Sequence, residues 1–99
     1  MVEAKSKRLD WYADRQGVWG FDVLDLDAKS GKNGFAHVPD WEHLTPTIAM
    51  TPSGGAHLYF RASGTRSTAT KNGVDTRGEG GYVILPPSPG YRWLKGGIL

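Results

Sequence analysis

Between Val18 and Leu26 the sequence reads VWGFDVLDL, and an extended chain there turns Trp19, Phe21 and Val23 to one side and Leu24 and Leu26 to the other. The pattern predicts a strand buried on both faces. Asp22, Asp25 and Asp27 interrupt it, followed at once by the turn AKSGKNG. Aspartate is a poor strand former, because its short polar side chain competes for backbone hydrogen bonds and is costly to bury unpaired. Something in the fold or the function must offset that cost.

The rest of the chain is compatible with one small domain. Ninety-nine residues bury only about 60 to 65% of the surface that the unfolded chain exposes, so a deep enclosed site is not expected. Fourteen glycines and six prolines imply many turns, hence a strand-rich or mixed fold. With no cysteine, disulfides and thiolate zinc sites are excluded, and a reducing compartment is compatible. No apolar run approaches the roughly 20 residues of a membrane span, and MVEAKSKRLDW lacks the apolar segment of a signal peptide. A soluble, cytoplasmic protein with no membrane partner is expected.

Charge is distributed unevenly. Residues 1–43 hold six Lys/Arg against eight Asp/Glu, and residues 44–99 hold six against two. An acidic half followed by a basic half suits a metal-bound polyphosphate, although uneven surface charge is equally common.

Residues 1–17 read as a lead-in segment or a short helix, and residues 18–99 as a single domain. Asp40 to Leu44, DWEHL, predicts one helical turn with Asp40 as N-cap after Pro39. In TIAMTPSGGAHLYFRA, two strand-prone runs, Thr47 to Thr51 and Ala56 to Ala62, flank PSGG, which predicts a hairpin. Ser63 to Asn72 reads as a polar, basic, mobile connection. YVILPP predicts a short strand stopped by Pro86 and Pro87, and YRWL a last strand.

Three clusters carry chemistry. Asp25 and Asp27 lie two apart, so on a strand they project to the same side, and paired carboxylates suit a hard cation such as Mg²⁺ or Mn²⁺. D-x-D alone is more commonly a pair of solvated loop residues. An EF-hand fails because Lys29, Ser30 and Ala36 stand where an oxygen ligand, glycine and glutamate are needed. Lys29 also stands where a haloacid dehalogenase-type site needs a hydroxyl residue, and KSGKN lacks the upstream glycine of a P-loop.

The hairpin supplies the second cluster. His57, Tyr59 and Arg61 share one strand face and Leu58, Phe60 and Ala62 the other. A turn of Ser53, Gly54 and Gly55 beside a cationic His57 suits phosphate, through main-chain donors and charge-assisted hydrogen bonds; a satisfied surface histidine is the plainer reading. The third cluster, GVDTRGEGGY, places Asp75 and Arg77 two apart between glycines. Among the aromatics, Trp19, Phe21, Phe60 and Tyr82 read as core. Tyr91 and Trp93, alternating with Arg92 and near Lys95, suit stacking on a single-stranded template, with Trp93 as a core cap the equal alternative.

With VLDLD, TPSGGAHLYF and GVDTRGEGGYVILPPS in this order and spacing, the chain resembles the archaeo-eukaryotic primase superfamily, specifically the bifunctional primase-polymerase domain of phage, plasmid and prophage replication proteins, from Val18 to Leu94. The resemblance implies an α+β fold, a mostly antiparallel sheet with one or two short helices, like the RRM-like, motif-bearing half of such a domain. It implies that Asp25, Asp27 and Asp75 are catalytic and bind Mg²⁺ or Mn²⁺, and that Ser53, Gly54, Gly55 and His57 meet the phosphates of the nucleotide, joined by Arg61 and Arg77. The implied function is DNA primase/polymerase nucleotidyl transfer, with a single-stranded DNA template and nucleoside triphosphates as partners and a helicase domain or replication protein as a companion. Family members carry a considerable N-terminal segment before the first motif, whereas 24 residues precede Asp25 here, so a minimal or truncated domain is expected. The alternatives are a non-catalytic nucleotide- or DNA-binding remnant and a metal-dependent phosphohydrolase using the same carboxylates.

Overall fold

A computed structural model describes residues 2–4, 21–29, 31–60, 72–78 and 81–96, the side chains of 2–4, 81 and 82 excepted. Strand β1 (Val2–Ala4) precedes β2 (Asp22–Leu26); a short helix α1 (Gly34–His37) and a 3-10 turn (Trp41–His43) follow, then β3 (Ile48–Met50), β4 (Ala56–Phe60), β5 (Val74–Arg77), β6 (Gly81–Val83) and β7 (Arg92–Lys95). Five strands form one antiparallel sheet in the order β5-β2-β4-β3-β7, and β1 pairs in parallel with β6 in a second, two-stranded sheet. The expected α+β class, with a mostly antiparallel sheet and little helix, is the one observed.

β2 lies between β4 and β5 and is covered on both sides. Phe21 and Val23 pack with Ala49, Tyr59, Val83 and Leu85, against which Trp93 also rests. On the other face Leu26 packs with Ile48, Ala56 and Leu58, and Leu24, Phe35, Val38 and Trp41 close over them. The alternation of apolar residues at the start of β2 therefore serves two cores. Leu26, Ile48 and Leu58 are wholly removed from solvent, each contributing roughly 1.5–3 kcal/mol of burial. Phe60 also packs here, as expected of a core aromatic, whereas Trp19 and the side chain of Tyr82 lie outside the described residues.

The hairpin turn forms as its glycines require. Thr51 N–H donates to the Gly55 carbonyl at 3.0 Å and Gly54 N–H to the Thr51 carbonyl at 3.1 Å, with Gly54 at φ +83°. Local sequence is less decisive elsewhere. Within the expected lead-in, Val2–Ala4 is a strand rather than a helix, because its partner is 77 or more residues away in β6 and no local pattern announces it. Residues 5–20 lie outside the described residues, as do 63–71 of the expected mobile connection. α1 follows the expected AKSGKNG turn, in a stretch for which the sequence predicted no element, with the Asn33 side chain accepting from Ala36 N–H at 3.3 Å. Asp40 does occupy the N-cap position of the turn at Trp41–His43, yet its side chain makes no capping bond there.

One junction holds the end of β2 in place. Asp27 N–H donates to the Gly73 carbonyl at 2.7 Å, and the Asp27 carbonyl accepts from Gly34 N–H at 2.8 Å. Such close approach of three backbones leaves no room for side chains: a Cβ on Gly73 would lie 2.7 Å from the Asp27 carbonyl oxygen, and one on Gly34 would collide with the Gly73 carbonyl.

Candidate active site

Register brings the three sequence clusters together. Asp25 stands opposite Asp75 on β5 and opposite His57 on β4. His57 in turn faces Ala49 on β3, which faces Trp93 on β7. A single row thus runs across all five strands, acidic at one end, aromatic at the other, with histidine between. Residues directly opposite on neighbouring strands project to the same side about 5 Å apart, so the convergence is a property of pairing rather than of sequence proximity.

Charge in the row is compensated internally. His57 Nε2 lies 3.4 Å from Asp25 Oδ1. Arg77, two residues along β5 from Asp75, places Nη2 3.7 Å from both Asp25 Oδ2 and Asp75 Oδ2. Asp75 and His57 are buried and Asp25 half-buried, so the carboxylate charges are only partly screened. His57 Nδ1 and the Tyr59 hydroxyl are buried with no hydrogen-bond partner among the described residues. Burial pushes the Tyr59 phenol well above its ordinary range, with Tyr91 and then Asp25 adding to the effect.

The row opens into a cleft of about 260 Å³, whose polar lining includes Asp25, Asp27, Lys29, Ser53 and His57. Asp27 is fastened by its backbone, and its Oδ1 accepts from Lys29 N–H at 3.4 Å, so its carboxylate engages its own loop. Asp25, Asp75, His57 and Arg77 are therefore brought together, with Asp27 and Ser53 at the cleft. The amides of Gly54 and Gly55 are both engaged within the hairpin loop. Gly54 N–H closes the turn, and Gly55 N–H donates to Thr51 Oγ1 at 3.1 Å. Gly55 is required for another reason: a Cβ there would meet the Leu26 carbonyl oxygen at 2.5 Å. The Ser53 hydroxyl, 3.4 Å from Thr51 Oγ1, stands at the cleft instead. Arg61 lies outside the described residues.

Beyond the candidates named from sequence, Leu26, Lys29, Thr51, Pro52 and Tyr91 also line the cleft. Lys29 appeared only as a residue that ruled out other motifs, and its place two residues past Asp27 in a glycine-punctuated turn was the available signal. Tyr91 was read as a template contact, but it lines this cleft, its ring centroid 6.2 Å from that of His57. Trp93 is half-buried, 5.5 Å from the Tyr59 ring, which favours the core-cap alternative.

Whether a divalent ion fits can be read from the donors. Among the described residues no three His, Asp or Glu side chains stand close enough to hold a metal ion together. Two do converge: Asp25 and Asp75 share one cationic atom of Arg77, so the pair is arranged around a single positive charge, and hard carboxylate oxygens suit Mg²⁺ or Mn²⁺. Asp27, at the same end of β2, lines the cleft beside Asp25.

Fold and site together define a small α+β domain with an acid–histidine row across adjacent strands of an antiparallel sheet. The chain belongs to the bifunctional DNA primase/polymerase, N-terminal, family, whose model matches residues 13–97. A primase/polymerase-type function in general follows from that membership. No curated protein and no solved structure matches the chain. Among the described residues no helix is long and apolar enough to cross a membrane.

Proposed function

We propose that this domain carries out template-directed nucleotidyl transfer on single-stranded DNA, using nucleoside triphosphates and Mg²⁺ or Mn²⁺. The observation that carries the reading is the Asp75–Asp25–His57 row, whose Asp25 and His57 line a cleft that also presents Ser53 and Lys29. Asp25 and Asp75, with Asp27 adjacent, would hold the divalent ion, which when bound supplies Lewis-acid neutralisation of the reacting phosphate and acidifies the attacking hydroxyl. His57, buried and fixed against Asp25, orients toward the phosphates, with Ser53 and Lys29 as hydroxyl and cationic donors. Gly54 and Gly55 shape the loop that carries Ser53. Arg77 neutralises the carboxylate pair at rest and is close enough to meet phosphate charge once the carboxylates have another cation. Arg61 continues the polar face of β4 in sequence and belongs to the same proposal, as does a helicase domain or replication protein as working companion.

A second reading, a non-catalytic nucleotide- or DNA-binding module, is favoured by one observation: Arg77 already stands between the two carboxylates. Primer synthesis and extension assays on a single-stranded template with labelled dATP or ATP and Mn²⁺ separate the readings. Expected are incorporation with pyrophosphate release and its loss in Asp25→Asn and Asp75→Asn. Nucleotide binding without incorporation would leave the binding module, and orthophosphate release would indicate a phosphohydrolase.

A further inference from the structure

The cleft is chemically divided. Its charged and hydroxyl-bearing residues match the triphosphate end of a nucleotide, whereas its carbon-rich lining comes from Leu26, Pro52 and Tyr91. Leu26 is wholly buried and belongs to the core beneath, which leaves Pro52 and the half-buried Tyr91 as the accessible apolar surface. Tyr91 is a member of neither hydrophobic cluster, whereas Trp93, two residues on, rests against the first. Core packing therefore does not account for an aromatic ring at position 91.

Backbone geometry places that ring. Tyr91 N–H donates to the Ser88 carbonyl at 3.0 Å, closing a turn. Gly90 takes φ +85° and lies so near the hairpin loop that a Cβ would be 2.6 Å from Pro52 Cγ. The turn before β7 is thereby seated on the loop that carries Ser53, and the Tyr91 ring sits 6.2 Å from the His57 ring at an interplanar angle of 34°.

We infer that Tyr91 is the platform on which the base of the incoming nucleoside triphosphate stacks, with Pro52 extending the same apolar surface. The inference rests on the nucleotidyl-transfer reading and adds to it a residue that grips the base rather than the phosphates. Stacking is the suitable chemistry, because every base has a π face and the choice among bases then remains with the template. A phenol ring half-exposed beside the phosphate-facing histidine supplies that contact without hydrogen bonds to any one base edge.

The test compares dATP with inorganic tripolyphosphate, each titrated calorimetrically into the full chain in the presence of Mn²⁺. Tyr91→Leu fills the space without a ring, Tyr91→Phe keeps the ring, and melting curves establish that each variant is folded. Tyr91→Leu is expected to weaken dATP binding by about 5- to 100-fold while tripolyphosphate binding stays within about twofold, and Tyr91→Phe to fall well short of that loss. Equal weakening of both ligands would overturn the inference and make Tyr91 a positioning residue for His57. Unchanged dATP binding in Tyr91→Leu would overturn it outright. Failure of the unsubstituted chain to bind either ligand would overturn the nucleotide reading itself, an outcome distinct from both.

Discussion

Replacing Arg77 with methionine removes a cationic group shared by Asp25 and Asp75 while preserving the aliphatic stem. Each carboxylate oxygen lies 3.7 Å from Arg77 Nη2. At an effective dielectric between about 20 and 80, each pair is worth roughly 1 to 4 kcal/mol before other terms. The Arg77 side chain is 34% exposed, so screening, desolvation and the ordering of a long side chain remove much of this, leaving about 1 kcal/mol per pair. Two carboxylates on adjacent strands then face each other without the guanidinium between them, so a total loss of about 2 kcal/mol is expected. For a domain of this size that lowers the melting temperature by on the order of 10 °C. Thermal denaturation in metal-free buffer reads the first effect. Repeating it with Mn²⁺ reads the second, because an ion bound at a hundred times its dissociation constant restores about 2.7 kcal/mol. The stabilisation by Mn²⁺ should be larger in Arg77→Met than in the unsubstituted chain, where the ion must displace the guanidinium. A variant melting within about 2 °C of the parent without metal would refute the charge argument, given the expected scale of the shift. Equal Mn²⁺ stabilisation of the two proteins would refute the shared seat.

Gly34→Ala places a Cβ against the Gly73 carbonyl and pushes apart the backbones that hold the end of β2, with an expected cost of about 1–3 kcal/mol and a lower melting temperature; an unchanged melting temperature would show that the junction yields without loss. Tyr59 keeps its proton more tightly in the folded protein, through burial first and the neighbouring Tyr91 and Asp25 second. Its contribution to stability is full below the ordinary phenol value of about 10 and is lost as pH rises above it. Melting temperatures measured from about pH 8 to 11 should therefore fall less steeply in Tyr59→Phe than in the parent. At neutral pH that substitution should change stability by no more than about 1 kcal/mol, because the hydroxyl has no hydrogen-bond partner among the described residues. Parallel pH profiles for the two proteins would refute the assignment.

Much of this molecule is legible along the chain because its signals are local. The alternation Phe21, Val23 against Leu24, Leu26 specifies a strand with two apolar faces, since side chains of an extended backbone alternate whatever lies around them. The hairpin around Gly54 and Gly55 follows from turn chemistry in the same way. The resemblance carried by VLDLD, TPSGGAHLYF and GVDTRGEGGY agrees with the family that matches residues 13–97. Those motifs name the candidate residues, although they do not say how the residues face one another.

Tertiary structure decided the rest, through pairings between segments distant in sequence. Asp25 meets Asp75 and His57 only because β2 lies between β4 and β5 in one particular register, and a slip of one residue would turn each of them to the opposite face. The same pairing brings Arg77 between the carboxylates, while the Asp27–Gly73–Gly34 junction directs Asp27 toward its own loop. The amides of Gly54 and Gly55 both donate to Thr51 within the turn. Tyr91 enters the cleft because Gly90 packs against Pro52, a contact between positions 38 apart that no local pattern encodes. Sequence determined which side chains are available and which local conformations they adopt; long-range strand pairing and backbone close approach determined which of them act together.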